Sequence, residues 1–78
     1  MPDFVIELHS SPDNLMELKA KMVEYMENGA RLGWLIDPMV KKVYVYRPNE
    51  KAEFLDNPKS VSGANVLIGF ELDLTKIW

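Results

Sequence analysis

Pro2-Asp3-Phe4-Val5-Ile6-Glu7-Leu8-His9-Ser10 is the stretch on which the fold turns. In an extended segment side chains alternate between two faces, so Phe4, Ile6 and Leu8 share one face. Asp3, Val5, Glu7 and His9 share the other. Apolar residues on both faces predict a strand covered on both sides rather than an edge strand with one wet side. Glu7 then carries a carboxylate into the middle of a small domain, where it must be desolvated, paired or bound to a metal. The plainest reading places Glu7 near the exposed end of the strand, or pairs it with a lysine of the next helix.

Ser10-Ser11-Pro12-Asp13 ends that strand and starts a helix. Ser11 suits the N-cap, Pro12 the first helical position, and Asp13 the positive end of the helix dipole. From Asn14 to about Asn28 no Gly or Pro interrupts a run of good helix formers, and Gly29 supplies the stop. Leu15, Leu18, Met22, Tyr25 and Met26 recur at three- and four-residue spacing as one apolar stripe, widened by Met16 and Val23. At about 100° per residue, Lys19 and Lys21 fall on opposite margins of this stripe. Either can snorkel to water along its stem, or reach a carboxylate on the preceding strand.

Arg31 to Pro38 is an apolar run closed by a turn, and Val43-Tyr44-Val45-Tyr46 follows a short connection, as expected of an antiparallel hairpin. The step from the first strand through the helix to Trp34-Leu35-Ile36 predicts a parallel, right-handed crossover. Ala52 to Leu55 reads as a short strand, and Asp56 to Gly63 as a loop. From Phe70 to Leu74 the chain alternates again, with Phe70, Leu72 and Leu74 on one face and Glu71 and Asp73 on the other. Those two acids invite a metal site, but an amphipathic edge strand accounts for them without one.

Composition narrows the functional classes. The 78 residues form a single domain, 47% hydrophobic, with a net charge of −3, no cysteine and one histidine. Disulfides, thiolate zinc sites and multi-histidine metal sites are therefore excluded within one chain, and a cytoplasmic setting is expected. No apolar run approaches the roughly 20 residues of a membrane span. Nothing resembles a signal peptide, and the acidic balance argues against a general nucleic-acid surface.

Several stretches taken together resemble the Uma-two family of restriction-endonuclease-like proteins, in the PD-(D/E)XK nuclease superfamily. They are Pro2-Asp3-x-x-x-Glu7-x-x-Ser10, Lys21-x-x-x-Tyr25, Gly29, Trp34-Leu35-Ile36-Asp37-Pro38 and Gly63-x-x-Val66-Leu67-x-Gly69-Phe70. The resemblance runs through essentially the whole chain, which corresponds to the C-terminal half of a usual family member. It implies an α/β fold: a truncated, mixed restriction-endonuclease-like sheet with one main packed helix, over residues 1–78. It also implies metal-dependent hydrolysis of DNA, with Glu7 as a catalytic carboxylate and metal ligand and Lys21 as the catalytic lysine, ahead of Lys19. His9 stands where the superfamily's usual lysine would be. The implied ion is Mg2+ or Mn2+, since hard oxygen ligands suit those metals.

Asp3 is not the second metal acid: four residues of strand put it about 13 Å from Glu7. The family's other acid belongs to a preceding strand, so this chain is expected to hold an incomplete site with weak or no activity of its own. Asp37, or an acid from a second copy, is the first candidate for a replacement. A domain without its first strands is also expected to form a homodimer or higher homo-oligomer. The alternative is a non-catalytic oligomerising or interaction module derived from the nuclease fold.

Overall fold

The computed structural model describes residues 3–10, 15–63 and 66–76. Its centre is a four-stranded mixed sheet in the order β1 (Phe4–Leu8), β2 (Leu32–Asp37), β3 (Lys42–Tyr46), β4 (Glu53–Asp56). β1 and β2 are parallel, joined through helix α1 (Leu15–Glu27), and the other two pairings are antiparallel. The expected strand–helix–strand unit and hairpin are thus both present.

All six residues of β2 are buried, so this strand is covered on both faces. On the α1 side, Met22, Leu35 and Tyr46 form a core with Val5, Leu15, Leu18, Tyr25, Met26 and Tyr44 packed around it. On the opposite side, Leu32, Trp34, Ile36, Val43 and Val45 meet Val61 and Leu74. Those last two residues come from a second small layer: an antiparallel pair, β5 (Ser60–Ser62) with β6 (Glu71–Asp73), and a 3-10 turn at Leu74–Lys76. Trp34 is fully buried there, edge-on to Phe4 and stacked on Phe70 with ring centroids 6.1 Å apart.

Two expectations need correction. β1 is not covered on both faces: Ile6 and Leu8 are 46% and 55% exposed, and β2 is its only neighbour among the described residues. The second layer reaches Phe4 but leaves the far end of that face open. The stretch from Asp56 to Gly63 is likewise not all loop, because β5 pairs there with β6. The N-cap residues Ser11, Pro12 and Asp13 lie outside the described residues.

Local chemistry fixes the joints. α1 ends in a Schellman motif: Gly29 has φ +105°, its N–H bonds to Met26 O, and the Ala30 N–H bonds to Tyr25 O. Gly33 is where helix and sheet meet most closely. A Cβ there would stand 2.6 Å from Met22 Cε, so the glycine allows the helix its approach. Gly63 holds the turn between β5 and β6. Its N–H donates to Phe70 O, its carbonyl accepts from Leu67, and an added Cβ would collide with Leu67 at 2.6 Å.

Candidate functional site

Glu7 faces α1, as its alternation with Phe4 and Ile6 requires, because Val5 and Glu7's partner Leu35 both belong to the helix-side core. Its Oε1 receives two groups from successive turns of the helix. Tyr25 donates its phenolic O–H at 3.2 Å, and the Lys21 ammonium lies 3.4 Å away. The Lys21 ammonium also sits 5.9 Å from the centre of the Tyr25 ring. Oε2 has no protein partner among the described residues. Glu7 is 23% exposed and Lys21 51% exposed, so the trio lies at the mouth of the strand–helix seam and not inside the core.

The Lys21 pKa is raised by hydrogen bonding to Tyr25, then by the hydrogen bond and charge of Glu7. Lys21 therefore stays a cation at neutral pH. With solvent around the ammonium, the pair contributes little to stability.

Lys19 goes the other way. Its ammonium lies over the Tyr44 ring, 4.8 Å from the centroid, on the flank of α1 away from Glu7. Of the two marginal lysines, Lys21 is the one the fold brings to the carboxylate.

Asp3 is exposed, and its backbone carbonyl accepts the N–H groups of Arg31 and Leu32. It ties the start of β1 to the start of β2. Glu71 accepts a hydrogen bond from Ser60, while Asp73 accepts from Thr75 N–H and Oγ1 and so caps the 3-10 turn. Those hydrogen bonds hold the Asp73 carboxyl below the usual carboxylate range. Both tail acids have structural employment.

Two residues beyond Glu7 on the same face, His9 Nδ1 and Asp37 Oδ2 are 2.9 Å apart in a buried pair. Asp37 Oδ1 accepts the Met39 N–H at 3.1 Å, and His9 N–H bonds to Ile36 O. Both Asp37 oxygens are thus engaged in joining the ends of β1 and β2 and shaping the turn after them. Asp37, the candidate second acid, is committed to structural hydrogen bonds. His9 Nε2 is buried with no hydrogen-bond partner among the described residues.

Among the described residues no three metal-ligating side chains come together. Magnesium is commonly held by one or two carboxylates plus substrate oxygens, so Glu7 fits the role of one ligand and leaves the rest to be supplied. Likewise among the described residues, no helix is long and apolar enough to cross a membrane.

Comparison with known proteins bears on this site. No curated protein matches the chain. A solved structure of a "putative nuclease belonging to DUF820" from Anabaena variabilis ATCC 29413 superposes with a TM-score of 0.79 at 28% identity. The match covers 96% of this chain and 42% of that one, so the chain spans less than half the length of its structural relative. The Uma2 family, described as "Putative restriction endonuclease", matches residues 1–75. The chain belongs to that family.

Proposed function

We propose that this chain carries part of the active site of a metal-dependent DNA endonuclease. In this reading Glu7 is one carboxylate ligand of Mg2+ or Mn2+, and Lys21 is the cation beside the attacked phosphate. The observation that carries the proposal is the convergence of Lys21 and Tyr25 on one oxygen of Glu7 while the other stays open. The ion would supply a stronger water nucleophile and neutralise charge on the phosphodiester. Tyr25 fixes the carboxylate's orientation. The protonated Lys21 offers a charge-assisted hydrogen bond to a non-bridging phosphate oxygen.

The proposal needs a second acid from outside the described residues, from a longer polypeptide or from a second copy. A cytoplasmic enzyme acting as a homodimer fits this requirement. The alternative, a non-catalytic module that pairs with another chain, is favoured by one observation. Among the described residues one edge of β1 is unpaired and its Ile6 and Leu8 are half-exposed, and such edges recruit strands.

Cleavage of supercoiled plasmid with Mg2+ or Mn2+ separates the two. The 78-residue chain is expected to cleave slowly or not at all. A polypeptide extended at its N-terminus to the length of the structural relative is expected to cleave. No metal-dependent cleavage by the extended form would overturn the nuclease reading and favour the interaction module.

A further inference from the structure

We infer that the sheet face left open beside α1, around Tyr44 and Phe54, binds single-stranded nucleic acid. The inference names a substrate class for the nuclease reading above and in that sense rests on it, but the surface itself is separate from Glu7.

Pairing aligns Glu7, Leu35, Tyr44 and Phe54 in one row across the four strands, all on the face that carries α1. The helix covers the Leu35 part of this row. Lys21 projects from it toward Glu7, and Lys19 from its other flank toward Tyr44. Beyond that flank the floor is open. Phe54 is 49% exposed, and its ring centroid lies 5.3 Å from that of Tyr44. Lys19 stands over Tyr44, and Lys42 stands over Phe54 at 4.9 Å.

Tyr46 continues the same face of β3 into a cleft of about 650 Å³ beside the end of α1. Burial, and then the neighbouring Tyr44, push its phenol above the usual value, which keeps it a neutral hydrogen-bond donor.

The chemistry favours an unpaired strand over an apolar protein partner. None of the described ion pairs engages Lys19 or Lys42, although Asp56 lies opposite Lys42 in the sheet. Two cations that no ion pair among the described residues engages are thus held beside two rings in a chain whose net charge is −3. Aromatic rings interleaved with cations are how sequence-tolerant single-strand surfaces are built: bases stack on the rings and the cations take the phosphates. A cation–π contact at an exposed site is weak, so an arriving base can displace the ammonium from the ring to an adjacent phosphate. Duplex DNA keeps its bases stacked and offers the rings no such partner.

The test is anisotropy of a fluorescein-labelled oligothymidine and of a duplex of equal length, in EDTA so that cleavage plays no part. The single strand is expected to bind better than the duplex. Phe54→Leu, which keeps apolar bulk on an exposed strand, is expected to weaken single-strand binding roughly tenfold. Lys42→Gln is expected to lower the magnitude of the salt slope by about 0.7. Unchanged thermal melting of both variants shows that the fold is intact.

Equal binding by Phe54→Leu and wild type would overturn the inference, as would equal affinity for duplex and single strand. Self-association relieved by Phe54→Leu would also overturn it and assign the face to a second copy. Phe54-dependent binding without any cleavage by the extended protein would sink the nuclease reading and leave this surface standing.

Discussion

In a cleavage-competent form of this protein, Glu7→Gln is expected to slow DNA hydrolysis by about a thousandfold. Glutamine keeps the size of the side chain and an oxygen for the Tyr25 O–H, so the local packing survives. What disappears is the negative charge that attracts a divalent cation and balances Lys21. Metal-assisted hydrolysis draws several kcal/mol of transition-state stabilisation from its ion, and each 1.36 kcal/mol is a factor of ten, hence about three orders of magnitude. Tyr25→Phe removes only an orienting hydrogen bond and is expected to cost about ten- to a hundredfold. Steady-state cleavage of labelled single-stranded and duplex DNA, alongside circular dichroism to show intact folding, provides the check. Retention of more than a tenth of wild-type activity by Glu7→Gln would remove Glu7 from the chemistry.

Asp37→Ala is expected to be the most damaging single change to the fold, costing about 3 kcal/mol. The substitution strips a hydrogen bond from buried His9, leaving its Nδ1 without that partner, and another from the Met39 N–H, which water can replace at this exposed turn. Breaking a buried pair by removing one member costs about 3–5 kcal/mol when the survivor is charged, and about 1–3 kcal/mol per orphaned neutral group. For a domain of this size that is a large part of the total stability. Urea unfolding of Asp37→Ala, His9→Ala and the double variant measures it. A double variant no worse than either single one identifies the coupling. A loss below about 1 kcal/mol for Asp37→Ala would contradict the account of this pair.

What was legible in the sequence was whatever local pattern dictates. The helix stripe from Leu15 to Met26 and its stop at Gly29 follow from 3.6-residue periodicity and from the left-handed conformation that glycine accepts. The β2–β3 hairpin follows from two apolar runs separated by a turn. The stripe leaves both Lys19 and Lys21 on its margins, and it is the family resemblance, through Lys21-x-x-x-Tyr25, that singles out Lys21 as the one that approaches Glu7.

The His9–Asp37 pair was harder to see. The two residues are 28 apart in sequence, and only the parallel register of β1 and β2 brings them together. One signal was available, since His9 shares Glu7's face and Asp37 shares Leu35's. The openness of β1 escaped for a similar reason: apolar residues on both faces show what a strand can bury, not what arrives to cover it. β5 has three residues, two of them serine, which is too short and polar for alternation to register. The tyrosine that orients Glu7 reads in sequence as a member of the helix stripe and of the Lys21-x-x-x-Tyr25 pattern, and neither announces its hydrogen bond to the carboxylate.

The central claim is that the open oxygen of Glu7 is a metal ligand, and paramagnetic broadening by Mn2+ tests it most directly. Titrating the isotope-labelled chain with Mn2+ is expected to broaden the amide signals of Glu7 and Leu8 and the side-chain signals of Tyr25 first, with weak affinity because one carboxylate alone completes no metal cage. In Glu7→Gln that local broadening is expected to vanish. Broadening centred elsewhere, or unchanged in Glu7→Gln, would contradict the account.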